Sequence, residues 1–460
     1  MKSNRREFLK RSAAAGALAA VPFSWSPGRA RANDVNSEMT VAAIGVGGSR
    51  GAFSQGGAIA MRAAQHARMV AVCDVDEVHM TEFNARFDNK LAQYSDYRQL
   101  LEREKPDVVT IGTPDHWHVP IAIAAMRAGC DVYCEKPLTL TIEEGFRIRD
   151  AVKETGRVFQ VGTQQRSEHD LLFLKAIAIV KSGRLGSRVN AHAAIGGGSV
   201  GGPFPATAAP EGLDWDMWVG PAQPADYSLE RRKEFRWYFD YSGGKMTDWG
   251  AHHIDIAQWA LGHDRSGPVK IGGSGQFTPI VPDHFDWVAY LEGRASLPNG
   301  YHTPSQFSIQ CEYADGSVLN VYDNYDRGDG KTQFPNGILF EGDQGRIFVN
   351  RERLSGKPVE EMTEAEKTVL HEQVVAVYRG QEPGDHMRNF FDCVKSRGTP
   401  ISDVETHHRS MTTCHLCNIA LMLGRALKWD PANEQFSGDE QATILMTRPR
   451  REKYAWEATT

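Results

Sequence analysis

The sequence has few cysteines, no long apolar run and no excess of basic residues. Its seven cysteines are an odd number and widely spaced, at 73, 130, 134, 311, 393, 414 and 417, which is not the pattern of a disulfide framework. No apolar run beyond residue 32 is long enough for a membrane helix. With 52 basic against 58 acidic residues and no basic stripe, nucleic acid is not expected as a partner. The 460 residues predict two domains.

The first 32 residues have the features of a twin-arginine export signal. Arg5-Arg6 is followed by a small-residue apolar run from Ala13 to Phe23, and the ARA at residues 30–32 supplies a cleavage site. We therefore expect a periplasmic or otherwise exported protein without stable membrane insertion. An uncleaved basic anchor helix is the alternative. Removal of residues 1–32, which hold seven basic residues and one acidic residue, changes the formal charge from −6 to −12.

From Thr40 onward, short β-branched runs alternate with helical patterns. TVAAIG, MVAVCD, DVVTIGT, DVYCEK and VFQVGT are the strand candidates. Such near-continuous apolar strands predict an α/β fold whose N-terminal domain, residues 33–163, is a doubly wound parallel (Rossmann) sheet. Beyond it, alternating runs with hairpin turns at 315–316 and 343–345 predict a C-terminal α+β domain, residues 164–460, with an open, largely antiparallel sheet.

The turn GVGGSRG, residues 45–51, follows the first strand. Glycines there let backbone amides approach a pyrophosphate. The third glycine of a G-x-G-x-x-G pattern would fall at Arg50, so we expect an enlarged turn. Asp74, at the end of the second strand, is placed to bind ribose hydroxyls and to repel a 2′-phosphate, which favours NAD over NADP. The predicted cofactor contacts of the turn are Gly45, Gly47, Gly48, Ser49 and Arg50.

Two further motifs follow later strands, where an open parallel sheet binds its ligand. They are TPDHWH at residues 113–118 and EKP at residues 135–137. With them the sequence resembles the glucose-fructose oxidoreductase, inositol dehydrogenase and rhizopine catabolism (Gfo/Idh/MocA) family, whose hallmark is E-K-P. The resemblance implies a carbohydrate or cyclitol substrate and a homo-oligomer that uses the second sheet. It also implies cofactor contacts from Thr113, Pro114, His118, Glu135 and Lys136.

The stretch SGGKMTDWGAHHIDIAQW, residues 242–259, carries an Asp and a His four residues apart, which share one face of a helix. Family members have such a pair facing the substrate and the nicotinamide together with the E-K-P lysine. The resemblance thus implies a catalytic group of Lys136, Asp248 and His252. Oxidation of a secondary alcohol passes hydride to the nicotinamide while a base takes the hydroxyl proton. His252, oriented by Asp248, and Lys136 are both candidates for that base, and Lys136 can also stabilise an alkoxide.

Candidate substrate contacts are weaker, because a packing role competes for each. The predicted contacts are Arg166, Arg236, Trp237 and His253, with Trp215, Trp218, Tyr238 and Tyr241 as further aromatic faces. We expect no metal site, since no ligand cluster accompanies HHIDIAQW. Cys414 and Cys417, with His407 on the same helix face, are predicted to be ordinary buried thiols.

The leading hypothesis is an exported, NAD-containing oxidoreductase of carbohydrates or cyclitols. Because there is no dependable NAD pool outside the cytoplasm, a resident cofactor must be regenerated in each catalytic cycle. By family resemblance, a second substrate can take the hydride back, or the same substrate can, as in redox-neutral NAD-dependent glycosidases, lyases or epimerases. A non-catalytic carbohydrate-binding protein and a metal-dependent hydrolase are the alternatives from other classes.

Overall fold

A six-stranded parallel sheet forms the first part of the fold in this computed structural model, which describes residues 38–52 and 54–456. The predicted export signal lies outside the described residues. The strand order is β3-β2-β1-β4-β5-β6, and every pairing is parallel. The strands are β1 (Thr40–Ile44), β2 (Arg68–Cys73), β3 (Ala92–Tyr94), β4 (Val108–Ile111), β5 (Asp131–Cys134) and β6 (Phe159–Val161). This arrangement confirms the predicted doubly wound sheet.

Helices cover both faces of this sheet. Along β1, Val41 and Ala43 belong to one buried apolar cluster, and Ala42 and Ile44 belong to another, as the alternation of side chains along a strand requires. The helices are α1 (Gln55–Ala63), α2 (Glu77–Ala85), α3 (Tyr97–Glu104), α4 (His118–Arg127) and α5 (Ile142–Thr155). Because the strand order reverses between β1 and β4, a crevice opens at the carboxyl ends of these two strands.

A nine-stranded mixed sheet forms the second part, in the order β15-β14-β13-β7-β10-β9-β8-β16-β17. Only the β7–β10 pairing is parallel, so the predicted largely antiparallel sheet is confirmed. The strands are β7 (Val189–Ile195), β8 (Lys270–Gln276), β9 (Gln306–Glu312), β10 (Val318–Tyr322), β11 (Tyr325–Asp326), β12 (Gln333–Phe334), β13 (Asn336–Gly342), β14 (Gly345–Val349), β15 (Leu354–Ser355), β16 (Leu427–Asp430) and β17 (Gln435–Phe436), of which β11 and β12 form a separate ribbon.

Helices of the second part pack against that sheet. Phe307, Ile309 and Cys311 alternate inward along β9 and join a buried cluster with Ile254 and Cys414. The helices are α6 (Leu172–Lys181), α7 (Trp215–Val219), α8 (Leu229–Lys233), α9 (Lys245–Asp248), α10 (Gly250–Ala260), α11 (Trp287–Leu291), α12 (Lys357–Glu360), α13 (Glu364–Val377), α14 (His386–Ser396), α15 (Val404–Leu423) and α16 (Glu440–Ile444). Of these, α6, α10 and α15 pack against the sheet. Within the described ranges no helix is long and apolar enough to span a membrane.

Helix α14 packs elsewhere, on the parallel sheet. Its Phe390 and Phe391 belong to the same apolar cluster as Val41 and Tyr133. The described residues from Met39 to Trp456 accordingly form one compact unit by their contacts. The boundary between residues 163 and 164 stays a prediction.

Arg166 is a structural residue, so its predicted role as a substrate contact is wrong. Its side chain is fully buried, and its guanidinium donates to both carboxylate oxygens of Asp255 on α10, at 2.7 and 2.6 Å. It also donates to the carbonyl of Ile401 and lies 4.4 Å from the centre of the Trp259 ring. The sequence alone shows an arginine that follows a strand. Its acidic partner, Asp255, lies 89 residues away, so the buried ion pair could not be predicted.

We predict that Arg166→Met lowers the free energy of unfolding by about 3–5 kcal/mol, because the Asp255 carboxylate would lose its paired cation in a dry interior. Urea denaturation measures this loss. Arg98→Met is the matched control, since Arg98 pairs with Asp96 at the surface, where an ion pair contributes about 1 kcal/mol or less. A variant with wild-type stability and a raised KM would restore the role of substrate contact.

Candidate functional site

The turn after β1 exposes its backbone to the crevice. Gly45 and Gly47 have φ angles of +74° and +62°, a conformation that favours glycine. A Cβ on Gly45 would lie 2.5 Å from the Thr113 side chain. The turn can therefore pass close to a ligand only without side chains at these positions, as a pyrophosphate site requires.

The glycine that lets the helix pack closely on the strand is Gly56, in the first turn of α1. A Cβ there would lie 1.9 Å from the carbonyl oxygen of Gly45, and one on Gly112 would lie 2.3 Å from the Gly56 Cα. This is the role of the third glycine in a dinucleotide-binding turn. The turn is thus enlarged, as predicted, but its third glycine was missed because the loop before α1 extends to Ser54.

Asp74 lies at the end of β2, where its carboxylate faces the turn. Its Oδ2 accepts hydrogen bonds from the amides of Val46 and Gly47, at 3.0 and 3.2 Å, and its Oδ1 accepts one from the amide of Asp76. The carboxylate lines the cleft together with Gly45 and Gly47. This is the position expected for an acid that binds ribose hydroxyls.

Three other predicted cofactor contacts fasten the turn to the protein. The Ser49 amide donates to Glu82 at 2.9 Å, and a Cβ on Gly48 would lie 2.5 Å from the same carboxylate. Arg50 donates to the carbonyl of Glu211 at 2.8 Å. None of the three is among the residues that line the cleft. Their observed contacts hold the shape of the turn.

The TPDHWH and EKP motifs form the opposite wall. Thr113, Pro114, Glu135 and Lys136 line the cleft, and Glu135 Oε1 accepts hydrogen bonds from the amides of two glutamines, Gln55 and Gln164, both at 3.1 Å. His118 is buried and does not line the cleft. Its ring nitrogens lie 2.8 and 2.7 Å from the carbonyl oxygens of Thr113 and Pro137, so it connects the two motifs.

Residues 194–224 form a segment rich in glycine and proline, and part of this segment closes the cleft together with the helices after it. Leu213 forms an isolated backbone bridge with Asp76, and the Arg232 guanidinium donates to the Asp76 carboxylate. The residues that close the cleft are thereby attached to Asp76, which lies close to Asp74 at the end of β2. The residues of this part of the chain that line the cleft are Leu213, Met217, Trp218, Arg232, Lys233, Phe235 and Arg236.

Lys136 and Asp248 form an ion pair at this end of the cleft. The Lys136 ammonium donates to the Asp248 carboxylate and lies 3.3 Å from the Asp248 carbonyl oxygen. Arg236 Nε lies 3.4 Å from the same carboxylate. Burial raises the pKa of Asp248, but the charges of Lys136 and Arg236 outweigh it and hold that pKa at about 2. The carboxylate is therefore ionised and fixes the position of the Lys136 ammonium.

His252 lies beside this pair, but Asp248 does not orient it by a hydrogen bond. The Nδ1 of His252 is buried and has no hydrogen-bond partner among the described residues. The predicted single helix is in fact two helices that meet at Trp249, and Lys136 occupies the carboxylate. Burial, followed by the nearby charges of Lys136 and Arg351, lowers the pKa of His252 well below 6.5. The imidazole is therefore neutral at neutral pH.

The remaining predicted substrate contacts differ in position. Arg236 lines the cleft, and Trp237 is buried except for 8 % of its surface, with Nε1 donating to Glu234. His253 is fully buried, with its ring nitrogens 3.0 Å from Asn336 Oδ1 and 3.3 Å from Gln165 Nε2. The prediction that His253 contacts substrate is thus wrong, because the His253 side chain points from α10 into the protein interior.

Two cations that lie near Asp248 were not predicted from the sequence. Lys245 is half-buried, and its ammonium lies 5.8 Å from the centre of the Trp237 ring without an ion pair to any described residue. Arg351 is also half-buried and lies 4.6 Å from the centre of the Trp249 ring. Burial lowers the pKa of both groups. The position of Lys245 in the GGK sequence shortly before Asp248 could have indicated a lysine at the site. No sequence feature near Arg351 indicated that it lies there.

The described residues contain no group of three or more His, Cys, Asp or Glu side chains arranged to hold a metal ion. All seven cysteines are buried and free, and the closest contact among them is between the sulfur atoms of Cys311 and Cys417, 3.6 Å apart. The C-x-x-C sequence thus contributes thiols to the core of the second sheet.

The fold and the cleft together define a dinucleotide-dependent oxidoreductase. The sequence matches the model of an oxidoreductase family with an NAD-binding Rossmann fold (GFO_IDH_MocA) over residues 39–163. It also matches the C-terminal alpha/beta domain of that oxidoreductase family over residues 201–280 and 303–456. The chain therefore belongs to the Gfo/Idh/MocA oxidoreductase family, and it is an NAD-binding enzyme.

Similar proteins act on sugars. The sequence is 26% identical over 345 residues to the D-glucoside 3-dehydrogenase of Escherichia coli, covering 69% of this chain and 88% of that one. The structure is similar to the WlbA dehydrogenase from Bordetella pertussis in complex with NADH and UDP-GlcNAcA, with a TM-score of 0.58, 15% identity, and 86% and 99% coverage of the two chains. It is also similar to the aldose-aldose oxidoreductase from Caulobacter crescentus, with a TM-score of 0.55, 17% identity, and 85% and 100% coverage.

Replacing Asp74 tests the assignment of the cleft. We predict that Asp74→Ala weakens NAD binding about tenfold to a hundredfold, because an ionised acceptor is lost. NADP should lose less affinity or gain some, since the charge that repels a 2′-phosphate is also removed. Calorimetric titration of both nucleotides measures this, with the exposed Asp88→Ala as control. Equal losses for the two nucleotides would contradict the role given to Asp74.

Proposed function

We propose that this protein is exported through its twin-arginine signal with NAD already bound and oxidises a hydroxyl group of a carbohydrate or cyclitol. The observation that carries the proposal is the Lys136–Asp248 ion pair, of which Lys136 lines the nucleotide cleft and contributes to the lowered pKa of His252. The similarity to a D-glucoside 3-dehydrogenase supports the substrate class. The positive-φ glycines and the Asp74 carboxylate provide a site that fits NAD.

The protein side chains bind the substrate oxygen and the hydroxyl hydrogen during the reaction. Bound NAD supplies the acceptor for hydride. The Lys136 ammonium, held by Asp248, can donate a hydrogen bond to the substrate oxygen and stabilise negative charge as it develops there. Neutral His252 can take the hydroxyl proton as the hydride leaves the same carbon, so that the proton and the hydride of the oxidised alcohol each have an acceptor. The cations that depress the pKa of His252 also favour an alkoxide next to it.

We further propose that the cofactor stays bound and is regenerated within each cycle. Two features support this: the Arg5-Arg6 export signal, which sends a folded protein away from the cytoplasmic NAD pool, and the likeness to an aldose-aldose oxidoreductase. Under this proposal a second sugar, or the same sugar after reaction, returns the hydride. No free NADH then accumulates during turnover.

Lys136→Met tests the proposed catalytic role. We predict that kcat falls at least about 100-fold, because the donor to the developing alkoxide is lost. Bound nucleotide and the midpoint of thermal unfolding should stay close to wild type, because Arg236 still offsets the Asp248 charge. Steady-state kinetics with glycosides and sugars, and nucleotide analysis after acid release, measure both effects.

Lys181→Met, at the exposed end of α6, is the control for the loss of a lysine. Wild-type turnover in Lys136→Met would overturn the proposed mechanism. A purified, folded protein without nucleotide and indifferent to added NAD would overturn the resident cofactor.

A further inference from the structure

A second cavity lies between the start of α5 and the C-terminal residues 448–456. His116, Arg231, Asp240 and His302 line it together with Arg448 and Arg450. It shares no lining residue with the nucleotide cleft. The adjacent Arg231 and Arg232 line one cavity each, so α8 forms part of the wall between them.

Several buried polar atoms of the residues that line this cavity have no hydrogen-bond partner among the described residues. Five of the fourteen buried side-chain nitrogen and oxygen atoms without a hydrogen-bond partner among the described residues belong to it. They are His116 Nδ1, Arg231 Nε, His302 Nδ1, Arg448 Nε and Arg450 Nη2. These five atoms have almost no accessible surface, so they lie within the wall of the cavity, and a buried polar group left without a partner costs about 1–3 kcal/mol.

Three carboxylates (Glu143, Glu144 and Asp240) and three guanidinium groups line the cavity, and one of the guanidinium groups has no ion pair of its own among the described residues. Arg231 lies 3.9 Å from the Asp240 carboxylate, and Arg450 lies 3.6 Å from that of Glu144. Arg448 has neither a hydrogen bond nor an ion pair with any described residue, and its guanidinium lies 5.7 Å from the centre of the Phe239 ring. The donors of the Arg448 guanidinium are therefore available to a ligand, and a planar carboxylate fits its paired donors.

The two histidines are uncharged parts of the cavity wall. Their Nε2 atoms lie 2.9 Å (His116) and 3.0 Å (His302) from the carbonyl oxygens of Trp218 and Pro298. A carbonyl oxygen only accepts, so Nε2 carries the hydrogen in each ring. Burial lowers the pKa of both, that of His116 to about 3, so the rings are neutral and each Nδ1 is an acceptor.

We propose that this cavity binds a polyhydroxy carboxylate, that is, a sugar acid, separately from the reaction site. Its carboxylate pairs with Arg448, and its hydroxyl groups donate to Asp240. Apolar side chains that line the same space, among them Leu291 and Leu297, contact the C–H groups of the ligand. The inference goes beyond the proposed function and does not depend on it.

Calorimetric titration of the nucleotide-loaded protein with D-gluconate tests the proposal, with D-glucose and inorganic phosphate as comparison ligands. We expect saturable binding of D-gluconate and none comparable for the other two. Arg448→Gln should weaken this binding at least about tenfold, since a hydrogen bond to a charged group contributes about 1.5–3 kcal/mol. Arg448→Lys, which keeps the charge, serves if Arg448→Gln fails to fold, and should weaken binding less.

Arg388→Gln, at an exposed position of α14, is the control for loss of an arginine. Lys136→Met should bind D-gluconate as the wild type does, because Lys136 lines the other cavity. Three results would overturn the proposal: no binding of D-gluconate by the wild type, equal binding by Arg448→Gln, or loss of binding in Lys136→Met. Binding of phosphate in preference to D-gluconate would also overturn it, in favour of a site for inorganic anions.

Discussion

The ion pair between Lys136 and Asp248 connects the two parts of the molecule at the cleft. Lys136 follows β5 of the parallel sheet, and Asp248 ends α9, a short helix that begins after Gly244. A Cβ on Gly244 would lie 2.6 Å from the Thr303 side chain, so glycine is needed where the chain turns into α9. The nucleotide-binding sheet and α9 are thus joined by two opposite charges, and under the proposed function the position of this pair fixes where a substrate hydroxyl binds.

Cations outnumber acids around this pair. Lys136, Arg236 and Lys245 all act on the Asp248 carboxylate, and Lys136 and Arg351 both depress the pKa of His252. Such surroundings disfavour a charged imidazole and favour negative charge on a bound oxygen. The same arrangement therefore explains a neutral histidine and a site prepared for an alkoxide.

The sequence predicted the elements that depend on local order and missed those that depend on distant contacts. The parallel sheet, the glycine turn and Asp74 follow one another along the chain, so periodicity and spacing were sufficient. Gly56 was missed because a loop of unpredictable length precedes α1. Arg166 was misassigned because a buried arginine and an exposed one look alike until the position of Asp255 is known. The spacing of Asp248 and His252 placed both at the site but could not show that Lys136 takes the carboxylate.

The most direct test of hydride transfer uses a substrate deuterated at its ring carbinol carbons. The protein is mixed with this substrate in less than one equivalent, quenched during turnover, and its released nucleotide is analysed by mass spectrometry. The mechanism predicts deuterium in the protein-bound nucleotide during the cycle and no labelled NADH free in the medium. Product formation with an unlabelled nucleotide throughout would contradict hydride transfer to the bound cofactor.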